Sequence, residues 1–340
     1  MLYIRGDANA EIGSGHIMRC LAIAGALRKR GEDAAFITAD RQGEQLITGN
    51  DFSMICLDTS WNNLEEEIEK LIALIREKRI EKLLVDSYFA TEEYIKSLHR
   101  FTKIIIMDDL KEAVYSADLV INYNIYAIKL NYAEQYSSTA RLLVGPAYIP
   151  LREEFGNVRR IQRKKPQNVL ITTGGSDYCN MAGILTEYLE ESRLFTQLKF
   201  HVIVGAFSPY KEELEKLKRK YDNVFLYQNV TRMSEIMNEC DAAISAGGTT
   251  LYELCACGLP AICFTFADNQ LLGAKEMQNQ GILYYAGDIR ENKRGCLDFI
   301  IDKLKLLIHD YNLRESLSAR MVQLVDGQGA DRIAQEIVLL

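Results

Sequence analysis

Short apolar runs alternate along the whole chain with longer stretches in which apolar and polar residues share the positions. In the first half the runs predict strands at 2–5, 34–38, 53–57, 82–86, 103–107, 119–122 and 142–145. Between them the pattern predicts helices at 17–29, 63–78 and 92–100; Leu64, Ile68, Leu71, Ile72 and Ile75 recur with the spacing of one helix face. After an irregular stretch the alternation resumes. It predicts strands at 168–172, 199–204, 224–227, 242–245, 261–264 and 283–285. The matching helices are expected at 181–189, 209–221, 233–239, 250–257, 270–280, 297–309 and 312–321. Strands that are apolar throughout and separated by helices imply parallel sheets covered on both faces.

The organisation that follows is α/β, with two doubly wound Rossmann-type domains at 1–150 and 167–340 and a linker at 151–166. Two such domains would face each other across a central cleft at the carboxyl ends of their strands, where open α/β sheets bind ligands. The stretch after residue 298 is less diagnostic: its helices pack on the second domain or cross back to the first.

Composition narrows the partners. The chain has 340 residues, 48% hydrophobic and 26% charged, with five prolines, which is a globular composition. A net charge of −7 leaves no footprint for nucleic acid. The basic cluster Arg159, Arg160, Arg163, Lys164 and Lys165 falls in the linker and reads as a solvated segment. No apolar run is long enough for a membrane span, and the start of the chain reads as a first strand rather than a signal peptide. The eight cysteines form no CxxC pair and several sit in apolar stretches, which fits reduced thiols in a cytoplasmic protein. Neither a metal nor another cofactor is expected. Nothing fixes an oligomeric state.

Candidate chemistry begins at Gly13-Ser14-Gly15-His16, between the first strand and the first helix. A helix N-terminus carries unpaired N–H groups and a partial positive charge, a field that favours neutral imidazole and would poise His16 as a base. The plainer alternative is a strand-to-helix turn that happens to hold a polar residue. In the second half, the strand at 242–245 runs into Gly247-Gly248-Thr249-Thr250 at the start of a helix. Free backbone N–H groups and two hydroxyls there suit a phosphate. Glu253 follows in the first turn. It is placed to accept both hydroxyls of a ribose, or simply to offset the helix dipole. A second glycine turn, Gly174-Gly175-Ser176, follows the strand at 168–172. Together these features suit a nucleoside diphosphate, although neither turn is a P-loop or a GxGxxG fingerprint. Asn269 and Gln270 stand at a later strand-to-helix junction, as amides for a sugar or, for Asn269, as an N-cap. His99, His201 and His309 read as structural.

Several blocks together resemble a known family. Arg5-x-Asp7 followed by Gly13-x-Gly15-His16-x-x-Arg19 is similar to the opening of the UDP-sugar hydrolases of pseudaminic acid biosynthesis (PseG), an opening shared with the spore-coat polysaccharide proteins of the SpsG type. The blocks Val85-Asp86-Ser87-Tyr88, Met107-Asp108-Asp109, Asn122-Tyr123-Asn124, Gly174-Gly175-Ser176-Asp177, Gly247-Gly248-Thr249-Thr250-x-x-Glu253 and Asn269-Gln270 agree in order and spacing. The resemblance spans roughly residues 2 to 285; its second half alone also resembles the nucleotide domain of MurG-type glycosyltransferases. It implies a GT-B-like architecture and removal of UDP from a UDP-linked 2,4-diacetamido-2,4,6-trideoxyhexose, the β-L-altropyranose derivative or a related diacetamido sugar. Water would attack the anomeric carbon with inversion, and His16 would be the general base. Arg5, Gly15, Tyr88, Asn269 and Gln270 would lie by the sugar. Gly174, Gly175, Ser176, Gly247, Gly248, Thr249, Thr250 and Glu253 would hold the UDP.

That chemistry suits the residues. Inversion needs a base on the face opposite the leaving group, with room for one water. UDP leaves readily, and N–H groups and hydroxyls can stabilise its charge. Asp108 and Asp109 are adjacent rather than spaced as a metal-binding DxD, so metal-independent cleavage is expected. The competing reading is a GT-B transferase that passes the sugar to an acceptor. Such an enzyme usually needs an apolar or basic acceptor groove, and no exposed apolar surface is expected in the first domain. A non-catalytic nucleotide-sugar binder is a third reading, which an intact His16 in a glycine loop disfavours.

Overall fold

A computed structural model describes all residues except 112, 137–139, 157, 159–161, 178 and 206; Arg159 and Arg160 of the basic cluster thus lie outside the described residues. The chain divides into two compact units. One comprises Met1–Asn9, Ser14–Glu153 and Gly327–Leu340; the other comprises Ala10–Gly13 and Glu154–Asp326.

The first unit is built on seven strands: β1 (Leu2–Gly6), β2 (Ala34–Thr38), β3 (Ser53–Cys56), β4 (Lys82–Asp86), β5 (Lys103–Met107), β6 (Leu119–Asn122) and β7 (Arg141–Val144). Its helices are α1 (Gly15–Lys29), α2 (Glu44–Thr48), α3 (Ile68–Lys78), α4 (Glu92–His99) and α5 (Tyr132–Tyr136). The sheet order is β3-β2-β1-β4-β5-β6-β7 and every pair is parallel. Central strands such as β2 are buried at every position, as a sheet covered on both faces requires. The chain moves outward from β1 to β3, then returns to start β4 on the other side of β1. This reversal is the switch point at which doubly wound sheets open a crevice. Gly6 and Asp86 are register partners there, at the carboxyl ends of β1 and β4.

The second unit repeats the scheme with β8 (Asn168–Thr172), β9 (Lys199–Val204), β10 (Val224–Gln228), β11 (Ala242–Ala246), β12 (Ala261–Thr265) and β13 (Tyr284–Asp288). The order is β10-β9-β8-β11-β12-β13, again all parallel. Its helices are α6 (Met181–Glu191), α7 (Lys211–Lys220), α8 (Met233–Glu239), α9 (Thr250–Ala256), α10 (Asp268–Asn279), α11 (Ile289–His309) and α12 (Tyr311–Leu324). Val169, Ile171, Leu185, Val202, Ile244, Phe264 and Leu304 belong to one buried core. The switch point lies between β8 and β11, where Thr172 pairs with Ser245.

The last helix, α13 (Gly329–Val338), belongs to the first unit and packs on α1. Ile333, Ala334 and Ile337 are buried, and its charged face is tied by Arg30–Asp331 (2.8 Å) and Arg141–Glu336 (2.6 Å). Of the two placements open for the C-terminal stretch, α11 and α12 take the first and α13 the second. A second domain running to residue 340 is corrected accordingly, and the division falls at 153/154, inside the expected linker.

Candidate active site

The first unit's switch point gathers buried charge. β1 ends before Asp7, α1 begins at Gly15, and β4 ends on Asp86, so His16 and Asp86 meet across the reversal. His16 Nδ1 lies 2.7 Å from Asp86 Oδ1. Arg19, one turn further along α1, donates to both Asp86 oxygens, at 2.6 Å from Nε to Oδ2, and its Nη2 lies 3.1 Å from His16 Nδ1. Arg19 Nη1 continues to Asp109 Oδ2 at 2.7 Å and to the Tyr123 hydroxyl. Asn124 Nδ2 donates to the other Asp109 oxygen at 3.2 Å. Three blocks from the ends of β4, β5 and β6 thus converge on one arginine.

Burial by itself would raise the Asp86 carboxyl. The Arg19 guanidinium and His16 override it and hold the group well below the usual carboxylate range. An ionised carboxylate only accepts hydrogen bonds. In its short contact with His16 the donor is therefore Nδ1, and Nε2 is the ring nitrogen left to exchange a proton. Burial also raises the Asp108 carboxyl, although hydrogen bonds from Tyr132 and the Lys111 N–H oppose it. Tyr88 sets its ring edge-on to His16, with centroids 4.4 Å apart.

Around this centre some expectations change. Arg5 is fully buried, with both carboxylate oxygens of Glu67 at 2.7 and 2.8 Å and Asp7 Oδ2 at 2.5 Å. It braces Asp7, whose Oδ1 accepts from the Ala39 N–H at 2.7 Å; the expected place beside a sugar is corrected, because no part of its side chain is exposed. The expectation of no exposed apolar surface also fails. Phe89 is 40% exposed, Leu110 38%, Val114 41% and Ile128 70%; they lie in the connections that follow β4, β5 and β6, Ile128 in a short 3-10 helix at Ala127–Lys129. Gly15, exposed, opens α1, where the Ser14 side chain makes no capping hydrogen bond.

In the second unit both glycine turns flank the switch point. Gly174, two residues beyond the end of β8, has φ +85°, a conformation open to glycine at little cost. Gly175 and Ser176 follow, partly exposed. Asp177 ends this turn, accepting from the N–H groups of Met181 and Ala182 at 2.8 and 3.1 Å. Burial pushes its carboxyl up to about 6, against those two bonds. After β11, a side chain on Gly247 would strike the Thr265 methyl at 2.8 Å, whereas one on Gly248 would meet nothing within 4 Å. Gly248 therefore faces open space. Thr249 is the N-cap of α9 without a side-chain cap bond, Thr250 begins the helix, and Glu253 lies in its first turn, partly exposed.

Asn269 is exposed in the first turn of α10; the N-cap is Ala267, so the capping role considered for Asn269 is corrected. Gln270 supplies the junction instead, its Oε1 accepting from the Phe266 N–H at 3.0 Å. The remaining histidines are placed apart from these features. His99 lies 3.1 Å from Asp118, His201 is held on β9 by Tyr227 and Asn168, and His309 closes α11. All eight cysteines are free thiols. No described helix is long and apolar enough to cross a membrane.

The sequence reading quoted Asp86, Arg19, Asp109 and Tyr123 within its blocks but gave them no part in the site; they are the residues that support His16. Their signal was positional. Each except Arg19 stands at or just beyond the carboxyl end of a parallel strand, the edge on which such sheets place their sites.

Comparison with known proteins agrees with both the fold and the resemblance. Residues 163–307 match the model of the glycosyltransferase family 28 C-terminal domain. A crystal structure of MurG from Acinetobacter baumannii superposes with a TM-score of 0.71 over 100% of this chain and 99% of that one, at 13% identity. The fold is accordingly that of GT-B glycosyltransferases, two Rossmann-like parallel-sheet domains. An uncharacterized protein of Methanocaldococcus jannaschii, MJ1062, is 29% identical over 75% of this chain; the match spans 54% of that protein's length. The UDP-2,4-diacetamido-2,4,6-trideoxy-beta-L-altropyranose hydrolase of Campylobacter jejuni is 26% identical, over 76% of this chain and 90% of its own. The spore coat polysaccharide biosynthesis protein SpsG of Bacillus subtilis is 25% identical over 97% of this chain and 95% of its own. The likeness read from the motifs is thus a likeness to proteins bearing those two names.

Proposed function

We propose that this chain is a UDP-sugar hydrolase that releases UDP and a free 2,4-diacetamido-2,4,6-trideoxyhexose, in the biosynthesis of pseudaminic acid or a related surface polysaccharide sugar. The observation that carries this reading is the Arg19–Asp86–His16 chain of contacts at the first unit's switch point. Asp86, kept ionised by Arg19, holds the proton on Nδ1, and His16 Nε2 takes a proton from water as the water attacks the anomeric carbon. Inversion follows from a single displacement. The diphosphate departs onto the N–H groups of the turns at Gly174–Gly175 and Gly247–Gly248, with the Thr249 and Thr250 hydroxyls beside them. Glu253 accepts from the ribose, and Asn269 and Tyr88 contact the sugar. The similarity to the Campylobacter jejuni hydrolase supports the substrate class. The free thiols support a reducing, cytoplasmic setting.

A second reading, transfer of the sugar to an acceptor, draws on the family 28 match and on the exposed apolar side chains of the first unit. His16→Asn tests the role of the base. Under the hydrolase reading the variant loses at least about a hundredfold in UDP release and binds UDP as the parent does. Unchanged UDP release would remove His16 from the chemistry.

A further inference from the structure

The loop after β3 crosses the first unit's switch point. In the sheet order β3 stands three steps from β4, about 14 Å at the usual strand spacing. Yet Trp61, from the loop after β3, meets Phe89, from the loop after β4, with ring centroids 5.4 Å apart at 80°. The segment 57–67 therefore passes over the carboxyl ends of β2 and β1. It is fastened along that path. The Thr59 N–H donates to the Ala39 carbonyl beyond β2 at 3.0 Å, Glu67 receives Arg5 from β1, and Glu65 receives the Thr91 hydroxyl before α4 at 2.7 Å. Tyr94 adds a bond to Glu67 at 2.6 Å.

The tip of this strap meets the residue that follows the aromatic neighbour of the base. Phe89 directly follows Tyr88, whose ring touches His16. Two aromatic pairs, His16 with Tyr88 and Phe89 with Trp61, are thus joined through the Tyr88–Phe89 backbone, and Phe89 is 40% exposed. Neither Trp61 nor Phe89 carries a charge. A wall of this kind packs well against the methyl groups of a ligand.

We infer that Trp61 and Phe89 determine sugar specificity by packing on the methyl-bearing edge of the substrate. A 2,4-diacetamido-2,4,6-trideoxyhexose presents two acetamido methyls and a C6 methyl where common hexoses carry hydroxyls. The wall selects for those groups. The inference rests on the UDP-sugar reading and assigns residues to its discrimination.

Trp61 is the single tryptophan of the chain, so its emission reports on the wall directly. The His16→Asn chain is titrated with the UDP-linked diacetamido sugar, with UDP-N-acetylglucosamine and with UDP alone. The diacetamido sugar is expected to shift or quench the emission, UDP alone to leave it unchanged, and UDP-N-acetylglucosamine to act more weakly. With His16 intact, Trp61→Ala and Phe89→Ala are expected to lower kcat/KM for the diacetamido sugar about tenfold or more. Trp61→Phe retains most activity, and inhibition by UDP stays the same in all three, which also reports that they fold. Equal emission with UDP and with the UDP-sugar, or alanine variants with parental kcat/KM, would overturn the inference while leaving hydrolysis intact. If UDP is released only when an acceptor is present, hydrolysis falls, and the emission titration alone decides the wall.

Discussion

Asp86 accepts hydrogen bonds from Arg19, His16 and Cys20 together, and this convergence sets the chemistry available to the imidazole. Asp86→Asn would present an amide that can donate to Nδ1, favouring the tautomer with its proton on Nε2. A fall in kcat of about 10²–10⁴-fold is expected, with KM nearly unchanged. A change confined to KM would assign Asp86 to substrate binding. The same carboxylate leaves a mark on stability. Its pKa is lower in the folded chain than in the unfolded one, so between the two values the unfolded chain binds the proton more readily. The stabilisation is complete above the ordinary value of 3.8 and is lost as pH falls below it. Urea midpoints recorded down through that range should fall steeply for the parent and more gently for Asp86→Asn; parallel curves would contradict the assignment. None of this pairing was legible in the sequence, because Asp86 is distant from Arg19 along the chain and meets it only once the strand order is known. Arg5 shows the same limit from the other side. Its motif position suggested a ligand contact, but a guanidinium beside two acidic partners in a closed core is a brace.

At the scale of elements, the glycine turns are where local sequence spoke most directly. A strand, two glycines, hydroxyls and a helix can be read without knowing the fold, and both turns stand at the second sheet's switch point. Gly248 offers a sharp test, since its open side leaves room for a larger residue. Gly248→Val is expected to unfold within a few degrees of the parent and to weaken UDP binding at least about tenfold, by calorimetric titration. Parental UDP affinity would remove this turn from the phosphate site. Strands such as β2, β4, β5, β6, β8 and β9 were legible to the residue, because uninterrupted apolar runs between polar breaks leave little choice of register. The short helices α2 and α5 were not, being too brief to show a helical period. The first turns of α11 escaped as well. They are polar, contain a glycine and bend at Asn292, where φ is −149°, so no apolar face marks them.

Across the whole molecule, two doubly wound sheets of closely related order carry different residues at their switch points: the buried His16–Asp86–Arg19 cluster on one and two glycine turns on the other. The duplication was visible as the resumption of the apolar pattern after residue 166. The return of α13 to the first unit was not, since an amphipathic helix near the end of a sequence gives no sign of which sheet it covers. The central claim is that water, activated by His16, takes the glycosyl group. It is tested most directly by following the UDP-linked diacetamido sugar with the protein by proton NMR, with no acceptor supplied. The account predicts that UDP and free sugar appear together, that the sugar first formed has the inverted anomeric configuration, and that His16→Asn abolishes both signals. A UDP-sugar that binds yet persists until an acceptor is added would contradict it.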